Sequence, residues 1–79
     1  MTFPIEDTLL DLLAKLPPGK SLDPSDVAKA LGGEEWRRLL PQVRSTAVGL
    51  ARQGKIIILR HGKEADPGAF KGVYRVRLV

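Results

Sequence analysis

The chain has 79 residues, 43% hydrophobic and 28% charged, with no cysteine and a net charge of +4. That length fits a single domain over residues 1–79, which buries only about 60% of its extended-chain surface on folding. The composition excludes disorder, a disulfide framework and a cysteine-held zinc site. No apolar run nears the roughly 18 residues of a membrane span and no signal peptide opens the chain, so a cytoplasmic protein without a membrane partner is expected.

Ile5, Leu9, Leu12, Leu13 and Leu16 recur at i, i+4, i+7, i+8 and i+11, which predicts an amphipathic helix over 4–16. Glu6 and Asp7 suit the positive end of its dipole, and Pro17, Pro18 and Gly19 stop it. Asp23 is a good N-cap for a second helix over 24–31, with Pro24 at its first position. Gly32 and Gly33 end it. Trp36, Leu39, Leu40, Val43, Ala47 and Leu50 continue at helical spacing, but Pro41 interrupts them and disfavours helix at the residue before it. The segment therefore divides into a short helical turn, 34–39, and a third helix over 41–53, closed by Gly54. Ile56 to Arg60 reads as a strand. Residues 73–78 alternate, with Tyr74, Val76 and Leu78 facing one way and Val73, Arg75 and Arg77 the other. The loop 61–72 joins the two strands into a hairpin. A short strand near Ser21–Leu22 would support it, because two strands alone are marginal.

Three helices followed by a hairpin give an α+β fold with the layout of a winged helix-turn-helix, the hairpin forming the wing. The residues expected inside are Leu9, Leu12, Leu13, Leu16, Val27, Leu31, Trp36, Leu40, Val43, Ala47, Leu50, Tyr74, Val76 and Leu78. The stretches PSDVAKALGG (24–33), Trp36, LLPQVRSTAVGLARQGKI (39–56), Asp66–Pro67 and Lys71–Gly72 resemble a family of small bacterial winged-helix domains of unknown function. They cover most of residues 9–78. That family commonly carries a Gly-Pro pair where this chain has Gly72–Val73. The resemblance implies the fold and brings no activity, cofactor or catalytic residue.

Enzymatic motifs fare poorly. Ala14 to Ser21 ends in the Gly-Lys-Ser of a phosphate loop. However, a helix precedes it, and Pro17 and Pro18 have no N–H to turn toward a phosphate. His61 is the only histidine and has no partner for a triad or a metal site. Asp23 reads as a helix cap and Asp66–Pro67 as a turn. The expectation is a non-enzyme without cofactor or metal.

Charge is the stronger signal. Residues 1–40 hold five basic and seven acidic side chains, a net −2, whereas residues 41–79 hold eight basic and two acidic, a net +6. A one-sided basic surface suits a polyanion, so double-stranded DNA is the leading partner and a small transcriptional regulator the leading role. With Val43, Ala47 and Leu50 turned inward, the third helix offers Gln42, Ser45 and Arg52, with Arg44 on its flank. Gln42 and Arg44 are placed for base edges, Ser45 and Arg52 for phosphates. Arg60, Lys63 and Lys71 in the wing would follow the adjacent backbone, with Arg75 and Arg77 behind them.

The other reading is a protein-interaction or dimerisation module. Val48 and Gly49 share that helix face, and Gly49 costs roughly 1 kcal/mol against alanine inside a helix, which suggests close packing. Ile56 to Leu59 is apolar on both sides of its strand, and a surplus of that kind marks interfaces, whether of a homodimer or with another protein.

Overall fold

Pro41 falls in the first turn of a helix rather than inside one, and this sets the phase of the helical half of the molecule. The computed structural model describes residues 4–79; residues 1–3 of the expected domain lie outside the described residues. Helix α1 spans Pro4–Ala14, α2 spans Pro24–Gly32, and a 3₁₀ segment, Gly33–Leu39, leads into α3, Leu40–Arg52. Strands β1 (Ile56–Arg60), β2 (Lys63–Glu64) and β3 (Arg75–Leu78) follow. The molecule is α+β, with α1 and α3 packed against a three-stranded antiparallel sheet of order β2-β1-β3 and α2 packed on the other helical segments.

Local chemistry explains the boundaries. Helix α1 stops two residues before the expected Leu16, because the Leu16 N–H reaches back only three residues, to the Leu13 carbonyl at 3.1 Å, and proline follows. At α2 the Asp23 carboxylate accepts from the Ser25 N–H at 2.9 Å and from the Ser25 hydroxyl at 2.8 Å. Those bonds, the backbone one foremost, hold its pKa below the ordinary 3.8. Helix α3 ends in a paired cap: Gly54 N–H donates to the Ala51 carbonyl and Lys55 N–H to the Leu50 carbonyl, each at 3.0 Å, which satisfies carbonyls the helix leaves open.

The expected long loop 61–72 contains a strand. His61 (φ 52) and Gly62 (φ 80) both sit at positive φ, as a two-residue hairpin turn that matches strand twist requires. The turn sets Arg60 opposite Lys63 and starts β2. His61 is therefore a turn residue. The strand expected at Ser21–Leu22 is a single bridge, in which Leu22 and Val76 exchange both backbone hydrogen bonds at 2.7 and 3.0 Å. β3 begins at Arg75, and Val73 stands outside it, 80% exposed.

The core gathers Leu9 and Leu13 of α1, Val27 and Ala28 of α2, Val43, Ala47 and Leu50 of α3, and Ile56, Ile58 and Val76 of the sheet, with Leu22 and Phe70 from connecting segments. Two expected core residues lie outside. Leu31 is 39% exposed in the last turn of α2, and Leu78 is 41% exposed at the sheet's end. Leu12, Leu16, Trp36, Leu40 and Tyr74 are partly buried around the core.

Register divides the apolar side chains of β1 between two faces. On the inner face Ile58 pairs with Val76, whereas on the outer face Ile57 lies opposite Arg77 and Leu59 opposite Arg75. Ile57 and Leu59 are half-buried there, Arg75 turns its guanidinium onto Ser21, and Arg77 keeps its Nε buried. Among the described residues nothing packs closely on Gly49: a Cβ there would meet none of their atoms within 4 Å. Among the described residues no helix is long and apolar enough to cross a membrane.

Val43→Asp places an unpaired charge at a fully buried position, a cost of several kcal/mol; thermal denaturation is expected to find the variant unfolded or severely destabilised. Asp23→Ala removes the α2 cap and is expected to cost about 1 kcal/mol at neutral pH. Because the folded-state pKa is lowered, the ionised cap stabilises fully above the ordinary carboxylate pKa. That contribution is lost as pH falls through the lowered value. The stability gap between wild type and Asp23→Ala, read by urea denaturation, should narrow in acid.

Candidate nucleic-acid interface

Burying Val43, Ala47 and Leu50 turns Pro41, Gln42, Ser45 and Arg52 of α3 to solvent. Gln42 forms no side-chain hydrogen bond among the described residues. The Ser45 hydroxyl donates to the Pro41 carbonyl one turn back at 3.1 Å, which leaves its oxygen free to accept. Arg52 extends from the last turn toward the loop between β2 and β3, and its Nη2 lies 3.2 Å from where a Cβ of Gly68 would stand. That part of the loop is organised by Asp66, which accepts from the Gly68 N–H at 2.9 Å.

Arg44 is half-buried and held within the fold. Its Nη2 donates to the Phe70 carbonyl at 2.6 Å, and its guanidinium carbon sits 4.0 Å from the Phe70 ring centroid and 5.9 Å from that of Tyr74. The two rings are themselves 5.0 Å apart. One side chain of α3 thus fastens the loop before β3. Arg60 does similar work from β1 by donating to the Val73 carbonyl. Its Nη1 also stands 3.0 Å from the Cβ position at Gly72 (φ +82), where the left-handed backbone favours glycine.

Behind the sheet, Arg75 donates to the Ser21 hydroxyl at 2.7 Å and the Ser21 carbonyl at 3.0 Å, and lies 4.0 Å from the Asp23 carboxylate. Arg77 is half-buried, and its Nε has no partner among the described residues. Lys63 and Lys71 are exposed and unpaired among the described residues. The nine expected residues therefore divide. Gln42, Ser45, Arg52, Lys63 and Lys71 are open to solvent, Arg44 and Arg60 fix the loop, and Arg75 and Arg77 lie on the sheet.

The partners matter electrostatically. Arg44 and Arg60 donate to carbonyl oxygens, which are neutral, so both keep their full positive charge. Among the described residues the ion pairs are Lys15–Asp11, Arg38–Glu35 and Arg75–Asp23; only the last draws on the basic half. Trp36, expected in the core, is half-buried with Lys29 at 4.8 Å and Arg37 at 4.4 Å from its ring centroid. Neither contact was visible in the residue pattern, nor was Phe70, which lies 26 positions from Arg44. Among the described residues no three His, Cys, Asp or Glu side chains come together to hold a metal ion.

Arg44→Ala removes a charged donor and its contact with the Phe70 ring, worth together about 2 kcal/mol in a partly exposed setting. A lower melting temperature and faster amide exchange in residues 70–76 are expected. Gln42→Ala, at an exposed position, should stay within about 0.5 kcal/mol of wild type.

No curated protein matches the chain significantly. A family model described as "Protein of unknown function (DUF3253)" matches residues 3–79, and the chain belongs to that family.

Proposed function

We propose that the chain is a winged helix-turn-helix protein that binds double-stranded DNA in the cytoplasm, as a small transcriptional regulator. The observation that carries this reading is the uncompensated charge of residues 41–79, eight basic against two acidic side chains, whose fixed arginines donate chiefly to neutral groups. α3 then serves as the recognition helix and residues 61–74 as the wing. Gln42, exposed near the helix start, reads a base edge in the major groove. Ser45, Arg52, Lys63 and Lys71 contact phosphates. Arg44 and Arg60 are positioning residues that hold the wing beside α3, while Arg75 and Arg77 add to the attractive field from the sheet.

The interaction-module reading has less support. Val48 packs against the core, Gly49 lines a separate open cleft with Pro4, Ile5 and Thr46, and Ile57 and Leu59 face arginines across the strands. They do not make one dry patch. A homodimer built on Gly49 would be broken by Gly49→Arg, and a light-scattering mass that stays monomeric at high concentration removes it.

Duplex binding is tested by a salt titration. If about five cations neutralise phosphates, log K falls against log salt with a slope of roughly −4 to −5. Replacing Lys63 and Lys71 by alanine should weaken binding to all sequences alike and flatten that slope by up to about two. Gln42→Ala should instead relax discrimination between sites, by roughly 1–3 kcal/mol for a lost base contact. Absence of duplex binding at low salt, with circular dichroism showing folded protein, overturns the reading.

A further inference from the structure

A cleft of about 700 Å³ opens between the starts of α2 and α3, the 3₁₀ segment and the loop before β3. DNA binding as described leaves it unexplained. Trp36, Leu40, Pro41, Val73 and Tyr74 give it an apolar lining, and Arg44 lines it too, with its guanidinium carbon 5.9 Å from the Tyr74 ring centroid. We propose that this cleft binds a small aromatic carboxylate, with its ring against Leu40, Pro41 and Tyr74 and its carboxylate on Arg44.

The volume falls in the range of small-molecule sites, which are mostly apolar with a few placed polar groups. Charge complementarity selects the occupant. Among the described residues only Nη2 of Arg44 is engaged, and by a neutral carbonyl; its other N–H groups remain for a carboxylate, which a guanidinium grips in a fork. Lys29 and Arg37, gathered on Trp36, add positive charge beside the same wall. Asp23 is the one carboxylate in the lining, and it is already used by Ser25 and neighboured by Arg75. Burial pushes the Tyr74 phenol up to about 12, so it stays protonated and able to donate; it makes no side-chain hydrogen bond among the described residues. The apolar walls are held in place as well. Val73 is 80% exposed, yet its carbonyl is fixed by Arg60 and its neighbour Tyr74 packs on Phe70.

Trp36 is the only tryptophan and lines the cleft, so its fluorescence reports occupancy in the free protein. The titration contains no DNA, and its outcome is independent of duplex binding. 3-Phenylpropionate is compared with 3-phenylpropan-1-ol, which keeps the ring and lacks the charge. The expected result is a saturable change with the acid and at least about tenfold weaker binding of the alcohol, the difference that one charge-assisted contact makes. Val73→Asp puts a like charge at the rim in an exposed position, so folding should be undisturbed while affinity for the acid falls about tenfold. An unsaturable response, equal binding of acid and alcohol, or full acid affinity in folded Val73→Asp overturns the proposal.

Discussion

A single guanidinium on α3 connects the helical half of the molecule to the loop before its last strand. Arg44 takes the Phe70 carbonyl and faces the Phe70 ring, and Phe70 in turn packs on Tyr74. Phe70 is the one buried residue of residues 61–74, so this loop has little core of its own to hold it. Its placement rests on that clamp, on Arg60 beneath Gly72 and Val73, and on the turn at Asp66. The cleft beside Trp36 and the position of Lys71 relative to α3 both depend on the same contacts.

The way the arginines are satisfied has an electrostatic consequence. A cation bonded to a carboxylate contributes little field at a distance, whereas one bonded to a carbonyl keeps its charge. Arg44 and Arg60 follow the second pattern, and Arg75 combines Ser21 with a longer contact to Asp23. The basic half can therefore be ordered and still remain electropositive. Structural duty and attraction for a polyanion do not compete here, because the same side chains perform the first with their N–H groups and the second with their charge.

Much of the architecture was legible because local rules agree with it. Apolar spacing marked α1 and α3, Asp23–Pro24 marked the start of α2, and Pro41 marked the break before α3. The phase of α3 was legible too: Val43, Ala47 and Leu50 are all buried. What escaped depends on partners distant in sequence. Nothing near Arg44 announces a carbonyl 26 residues away, so it read as a base-reading side chain. β2 was hidden because His61–Gly62 is a less usual pair for a tight hairpin turn than Asn-Gly. The double-sided apolar character of β1 suggests an interface from sequence alone, and its pairing with Arg75 and Arg77 on the outer face follows from a register that the sequence does not announce. Leu31 and Leu78 follow the right period and still emerge at the ends of their elements, which periodicity alone does not mark.

The proposed DNA binding puts α3 and the clamped loop on one duplex-facing surface, and amide hydrogen exchange with and without duplex DNA tests that union directly. It predicts added protection in residues 42–52 and 61–74 together, with α1 unchanged. Protection confined to α1 or to the outer sheet face, or binding that leaves both α3 and the loop unprotected, would contradict it.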